Sequence, residues 1–170
     1  MLSFTRKTDY ALISLTHMAC QGSNSSSARE IATRYRMPMP LLMNVLKVLT
    51  QHGLARSERG PRGGYQLARP AEEINLHDII AAVDGPVALV LCVRGAQRRD
   101  QSASGERQAC GCELTSLCPV RGAVHKVHDK LVKMLKEVTL ADLADHAKRS
   151  RAAMDTPTTR ETEHEVAHLS

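Results

Sequence analysis

Four cysteines crowd one stretch of the 170-residue chain: Cys92, Cys110, Cys112 and Cys118. Soft thiolates gathered in this way suit iron-sulfur clusters or zinc. The Cys112-x5-Cys118 spacing differs from the paired two-residue gaps of zinc ribbons, and the nearby His125 and His128 fall on what reads as a long helix, so zinc ranks behind an iron-sulfur cluster. Cys110 and Cys112 stand too close for both to grip one cluster easily, which leaves one of the two as a spare or a redox partner. The fifth thiol, Cys20, lies near the apolar face of a helix and reads as a small buried hydrophobe. An odd number of cysteines cannot all pair within one chain, and metal binding or redox sensing explains them better than a disulfide framework. His17, His52, His77 and His146 fall into no ligand pattern and default to surface or capping roles.

A second kind of chemistry is written in charge. The formal net charge is +5, but residues 1–69 carry +7 and residues 70–170 carry −2, so the N-terminal part is the one that faces a polyanion. That part must build the scaffold for both sites. Apolar residues Ala11, Leu12, Leu15, Met18 and Ala19 recur at helical spacing and predict a first helix from about Thr5 to Gln21. Ser27 with Glu30 forms a capping box for a short second helix to about Tyr35. Pro40 suits a first helical position, and Leu42, Val45, Leu46 and Leu49 make one stripe of a third helix ending at Gly53. Two short strands, Leu54 to Glu58 and Tyr65 to Ala68, flank a glycine-rich turn and read as a hairpin.

Three helices and a hairpin in this order define a winged helix-turn-helix. The third helix then lies in the major groove. Its buried stripe leaves Leu41, Met43, Asn44, Lys47, Val48 and Gln51 to face outward, with Asn44 and Lys47 as groove and phosphate groups. The residues expected against a double-stranded DNA operator are Ser27, Pro40, Leu41, Met43, Asn44 and Lys47, together with Arg59, Arg62, Gly63 and Gly64 of the wing. The two arginines suit phosphates or a narrow minor groove.

Asn75 with Asp78 starts a fourth helix that Gly85 ends, and the polar run from Arg94 to Ala109 has no periodicity and reads as a loop. After Cys118-Pro119, Val120, Val124, Val127, Leu131, Met134 or Leu135, and Val138 alternate four and three apart, like a coiled-coil seam. This predicts a long helix that pairs with a second copy, giving a homodimer. Thr139 and Asp142 can cap a last short helix through Leu143 and Ala147. The expected organisation is a DNA-binding domain over 1–85, a cysteine loop over 86–118, the dimerisation and terminal helices over 119–150, and a disordered tail over 151–170. The fold class is mainly α with a small β-hairpin wing.

Several stretches together resemble the IscR/NsrR winged-helix regulators, and most of all those that control the SUF iron-sulfur assembly system. They are Arg6 to Leu12, the wing Arg59 to Ala68, Asp78-Ile79-Ile80 with Asp84-Gly85, and Cys112 to Arg121, within a match over about residues 1–147. The resemblance implies a homodimer in which three cysteines of each chain, by position Cys92, Cys112 and Cys118, hold an iron-sulfur cluster, with [2Fe-2S] ahead of [4Fe-4S]. It implies that cluster loss or oxidation changes operator affinity, in a repressor of cluster-assembly genes. Where some relatives have a histidine ligand three residues past the last cysteine, this chain has Arg121; Asp9, from the partner's first helix, occupies another position that the family uses. The long gap between Cys92 and Cys112 departs from the family, Cys110 is an alternative ligand, and Met43 stands where a family member reads DNA with an acid.

Other classes are less well served. No apolar run approaches the roughly 20 residues of a membrane span, and charges at Arg6, Lys7 and Asp9 stand where a signal core would lie, so a cytoplasmic protein without membrane contact is expected. There is no Ser-His-Asp pattern, phosphate-binding glycine loop or carboxylate pair, so neither an enzyme nor a small-molecule substrate is expected. The alternatives are a DNA-binding regulator whose loop holds zinc or senses thiol oxidation, and a redox protein without DNA binding.

Overall fold

The computed structural model describes residues 4–60, 63–90, 93, 112, 114 and 116–155. Thr5 opens the first helix, α1 (Arg6–Gln21), its hydroxyl accepting from the Thr8 N–H, and Gly22 ends it at φ 64°. Ser27 caps α2 (Ala28–Tyr35), accepting at 3.1 Å from the Glu30 N–H. Only this half of the capping box forms as expected, because the Glu30 side chain turns to His17 instead. Pro38 precedes α3 (Met39–Gln51), which places Pro40 at the second helical position rather than the first; there too its missing N–H costs no intrahelical bond. Strands β1 (Ala55–Glu58) and β2 (Gly64–Leu67) pair antiparallel, Ala55 opposite Leu67 and Glu58 opposite Gly64. A 3-10 turn (Ala71–Glu73) leads into α4 (Leu76–Asp84), capped by Asn75. Next come the long α5 (Arg121–Glu137) and α6 (Leu140–Asp155).

The main core forms where α1, α3, α4 and α6 meet. Ala11, Leu15 and Met18 of α1 interlock with Leu42, Val45, Leu46 and Leu49 of α3, with Ile31, Ile74, Ile79 and Leu140 closing the sides. The stripe on α3 is thus buried as its spacing predicts, and the winged helix-turn-helix fold class is confirmed. A smaller core joins α4 to α5 through Ile80, Val87 and Leu135, with Leu76 and Leu131 packed on it. The two cores are tied by backbone. Leu76 N–H donates to Val138 at 2.9 Å and Leu140 N–H to Ile74 at 2.7 Å, pinning the α5–α6 corner to the entry of α4.

The apolar seam predicted on α5 is therefore divided. Leu131 and Leu135 turn inward onto α4, whereas Val120, Val127 and Met134, seven residues apart, are 57%, 59% and 52% exposed. The last helix is also longer than its sequence pattern indicates: α6 has 16 residues and reaches Asp155, through the first five positions assigned to a tail. Thr139 and Asp142 cap it reciprocally, with Asp142 Oδ2 accepting from the Thr139 N–H and hydroxyl. Residues 156–170, also assigned to the tail, lie outside the described residues. Among the described residues, no helix is long and apolar enough to cross a membrane.

Two polar clasps lie inside this frame. Asp84, at the end of α4, accepts from the Thr5 hydroxyl at 2.7 Å and from the fully buried Thr8 hydroxyl at 2.6 Å. Burial pushes the Asp84 carboxyl up, but the hydrogen bonds from Thr8 and Thr5, helped by the Lys7 charge, outweigh it and hold the carboxyl below its ordinary value. The second clasp corrects the surface role assigned to His17. It is 1% exposed, with Nδ1 3.2 Å from the Tyr35 hydroxyl and Nε2 3.4 Å from Glu30 Oε1. Arg151 of α6 donates to the same Tyr35 oxygen at 3.1 Å, so the clasp spans α1, α2 and α6. Burial keeps both His17 and His128 below the usual imidazole pKa; Glu30 partly counteracts this at His17, and Asp129 does so at His128.

Two predictions follow from the clasps. Asp84→Ala strands the buried Thr8 hydroxyl and is expected to cost about 1–2 kcal/mol, read as a lower denaturation midpoint at pH 7. For His17 and His128, a folded pKa below the unfolded value of 6.5 means that the unfolded chain binds more protons. Their contribution is full above that value and is lost as pH falls below it. The melting temperature should drop between pH 7.5 and 5.5, and a His17→Gln/His128→Gln variant should show a shallower drop.

Candidate functional site

Because Leu42, Val45, Leu46 and Leu49 are turned into the core, the rotation of α3 is set and its opposite face is open. Pro40, Met43, Asn44, Lys47 and Gln51 lie exposed on that face, while Leu41 and Val48 are half-buried on its flank. Met43 is 42% exposed and Met39, at the helix start, 37%. Ser27 sits nearby in sequence order as the cap of α2, its hydroxyl engaged by the Glu30 N–H.

The wing is braced by more than its own two strands. Ser26, in the α1–α2 loop, exchanges backbone hydrogen bonds with Tyr65, 3.0 and 2.8 Å long, and so adds a one-residue third strand to the hairpin. This approach explains Gly64: a Cβ there would stand 2.6 Å from the Ser26 carbonyl oxygen. Gly63 is likewise held against backbone, donating to the Gly60 carbonyl at 2.9 Å, and a Cβ on it would meet the Glu58 carbonyl at 2.5 Å. Both glycines have a structural reason to be glycine, whatever they touch outside.

Across the hairpin, the buried Gln66 accepts from the Arg56 guanidinium and donates to Glu58, each bond 2.9 Å long. Arg56 is thereby occupied within the sheet, while Arg59, beyond the strand end, is exposed. Arg62 lies outside the described residues. Ser26 and Gln66 were not singled out from sequence; backbone pairing and cross-strand amide bonds leave no distinctive pattern of residue types.

The cysteines are only partly in view. Cys112 and Cys118 are both half-buried, and Cys118 lies in the turn that starts α5, its carbonyl accepting from the Arg121 N–H at 3.4 Å. Cys92 and Cys110 lie outside the described residues. Asp9 is exposed in the first turn of α1, next to the Thr8–Asp84 bond, and a single chain does not gather it with Cys112 and Cys118. Among the described residues no three potential ligands form a metal-binding group. As a donor set for an iron-sulfur cluster, the described part supplies two soft thiolates of suitable chemistry, and the rest of the shell must come from elsewhere. Cys20, expected as a small buried hydrophobe, is only half-buried and lies outside the main core, with its thiol 3.8 Å from the Ala144 carbonyl.

An α3 with its outward face bare, standing beside a braced wing, defines a DNA-binding protein of the winged helix-turn-helix class. The chain belongs to the Rrf2 family, described as an iron-dependent transcriptional regulator, which residues 4–146 match. It is 27% identical over 161 residues to the HTH-type transcriptional regulator NsrR of Shouchella clausii, a match covering 94% of this chain and 100% of that one. Among solved structures it is similar to CymR, the global cysteine regulator of B. subtilis, with a TM-score of 0.64 and 25% identity over 86% of this chain and 98% of that one. It is also similar to T. potens IscR, with a TM-score of 0.61 and 25% identity over 88% of this chain and 91% of that one. The protein is accordingly a transcriptional regulator and not an enzyme.

The Ser26–Tyr65 pairing yields a direct test. Gly64→Ala forces a methyl group into the Ser26 backbone and is expected to destabilise the fold by about 1–3 kcal/mol. Amide exchange at Ser26 and Tyr65 should accelerate more than exchange in α3.

Proposed function

We propose that this regulator is a homodimeric, cytoplasmic repressor of iron-sulfur assembly genes, such as those of the SUF system, whose grip on its operator depends on a bound iron-sulfur cluster. The observation that carries the proposal is the position of Cys118 in the turn that starts α5, with Cys112 six residues before it in sequence, immediately ahead of the exposed heptad of Val120, Val127 and Met134. The last ligand would then directly adjoin the pairing surface. The description of the family as iron-dependent supports the same reading.

In this mechanism Cys92, Cys112 and Cys118 donate thiolates, with Cys110 as the alternative thiol, and Asp9 from the other protomer completes the shell. A carboxylate is a hard, exchangeable ligand for iron, which suits a sensor. When bound, the cluster, [2Fe-2S] ahead of [4Fe-4S], supplies a redox-active and displaceable link. The chain's own residues do the rest. Val120, Val127 and Met134 pack against their copies in the second protomer. Leu131 and Leu135 transmit the position of α5 to α4, and the Asp84 clasp carries it on to α1 and thus to the turn that bears Asp9. Two arrangements differing by a few kcal/mol in the spacing of the recognition helices suffice to switch affinity. Against the duplex, Asn44 faces base edges and Lys47 and Arg59 meet phosphates, with Arg62, Gly63 and Gly64 of the wing tip close to the backbone and Ser27, Pro40, Leu41 and Met43 around the groove.

A second reading, oxidation of the same thiols without a metal, is favoured by the incomplete burial of both cysteines and by the likeness to a cysteine regulator. One experiment separates the two. Operator affinity is measured by fluorescence anisotropy for anaerobic holoprotein, apoprotein and Cys118→Ala, alongside the visible spectrum and iron and sulfide content. The cluster reading expects a coloured holoprotein whose affinity differs at least tenfold from both other forms. Equal affinities in all three, or a colourless iron-free protein from anaerobic cells, would refute it.

A further inference from the structure

The recognition helix has an unusual outward face, and its chemistry narrows what it can read. The sequence of α3, Met39 to Gln51, contains no arginine and no carboxylate; Lys47 is its only charge. Guanine is read best by bidentate arginine or lysine and cytosine by a carboxylate, so Lys47 alone suits a G·C pair, and it is equally suited to a phosphate. The remaining exposed side chains are the amides Asn44 and Gln51, the thioethers Met39 and Met43, Pro40, and Thr50, whose hydroxyl is spent on the Leu46 carbonyl at 2.8 Å. Asn44 and Gln51 match the N6 and N7 pattern of adenine. Met43, 42% exposed beside Asn44, presents an apolar side chain to a groove in which the one apolar feature of the bases is the thymine 5-methyl.

We infer that α3 selects A·T pairs, with Asn44 bonded to an adenine edge and the Met43 side chain packed on the methyl of a neighbouring thymine. The inference rests on α3 being the helix that enters the major groove. Met43 is free for this role: the core holds Leu42, Val45, Leu46 and Leu49 and leaves Met43 out. Its flexible thioether adapts to a small apolar target, and contact removes exposed apolar surface from water.

The test exploits a single methyl group. A duplex pool with randomised positions is selected with anaerobic holoprotein and, separately, with apoprotein. In the enriched duplex each thymine is then replaced in turn by deoxyuridine and each adenine by 7-deazaadenine, and affinities are measured for the wild type, Met43→Ala, Met43→Leu and Asn44→Ala. The expected result is A·T enrichment at the central groove positions and one deoxyuridine position that weakens wild-type binding about fourfold, the equivalent of one buried methyl-sized group. That loss should vanish in Met43→Ala and persist in Met43→Leu, which keeps an apolar contact. One 7-deazaadenine position should weaken wild type but not Asn44→Ala. Enrichment of G·C at those positions, or a deoxyuridine loss undiminished in Met43→Ala, overturns the inference while leaving cluster-linked sensing untouched. A pool from which neither form enriches any duplex removes the DNA-facing assignment of α3 and this inference together.

Discussion

The burial of four aliphatic side chains on one face of α3 governs the rest of the molecule. Leu42, Val45, Leu46 and Leu49 are at most 2% exposed, and they interlock with the α1 stripe around Leu15. Packing of this kind tolerates little rotation, because turning a helix by one residue would expose apolar surface and drive an amide or an amine into the core. The direction in which Asn44 and Lys47 point is therefore a by-product of hydrophobic burial rather than of any contact they make themselves. The wing obeys the same economy: its register is fixed by Ala55 and Leu67 on the inner face and by the Ser26–Tyr65 pairing at its edge.

A second constraint joins this DNA-binding head to the long helix. The α4 helix packs on both α1 and α5, and the Ile74 to Leu76 segment exchanges backbone bonds with the α5–α6 corner. Thr5, Thr8 and Asp84 close the circuit at the end of α4, from which the chain leaves through Gly85 toward the cysteine loop. The helices α1, α3, α4 and α5 and the turn at Cys118 thus follow one another through continuous packing and backbone bonds.

Much of this was legible in the residue pattern, for identifiable reasons. Helix starts at Ser27, Asn75 and Thr139 each announce themselves by a side chain that accepts from an N–H three residues on, a local rule that needs no tertiary knowledge. The α3 stripe and the hairpin follow from periodicity and turn residues. What escaped depends on contacts distant in sequence. His17 carries no mark of burial until Tyr35 and Arg151 are brought to it across 18 and 134 positions. The end of α6 has helix-forming alanines but no long apolar stripe, so its continuation to Asp155 could not be read from hydrophobic spacing. At the candidate site, the outward set on α3 was legible because it is the complement of the core. The wing glycines invited a functional reading that their close backbone neighbours share.

The reach of α6 has a practical side. Its Arg151 is the first position that the sequence pattern assigns to a tail, just past the place where an expression fragment would naturally be trimmed. A fragment ending at residue 150 would discard the guanidinium that donates to the Tyr35 oxygen and would open the solvent side of the buried imidazole beneath it. Affinity tags and fluorescent fusions belong beyond residue 155, where they leave the strap from the last helix to the end of α2 intact.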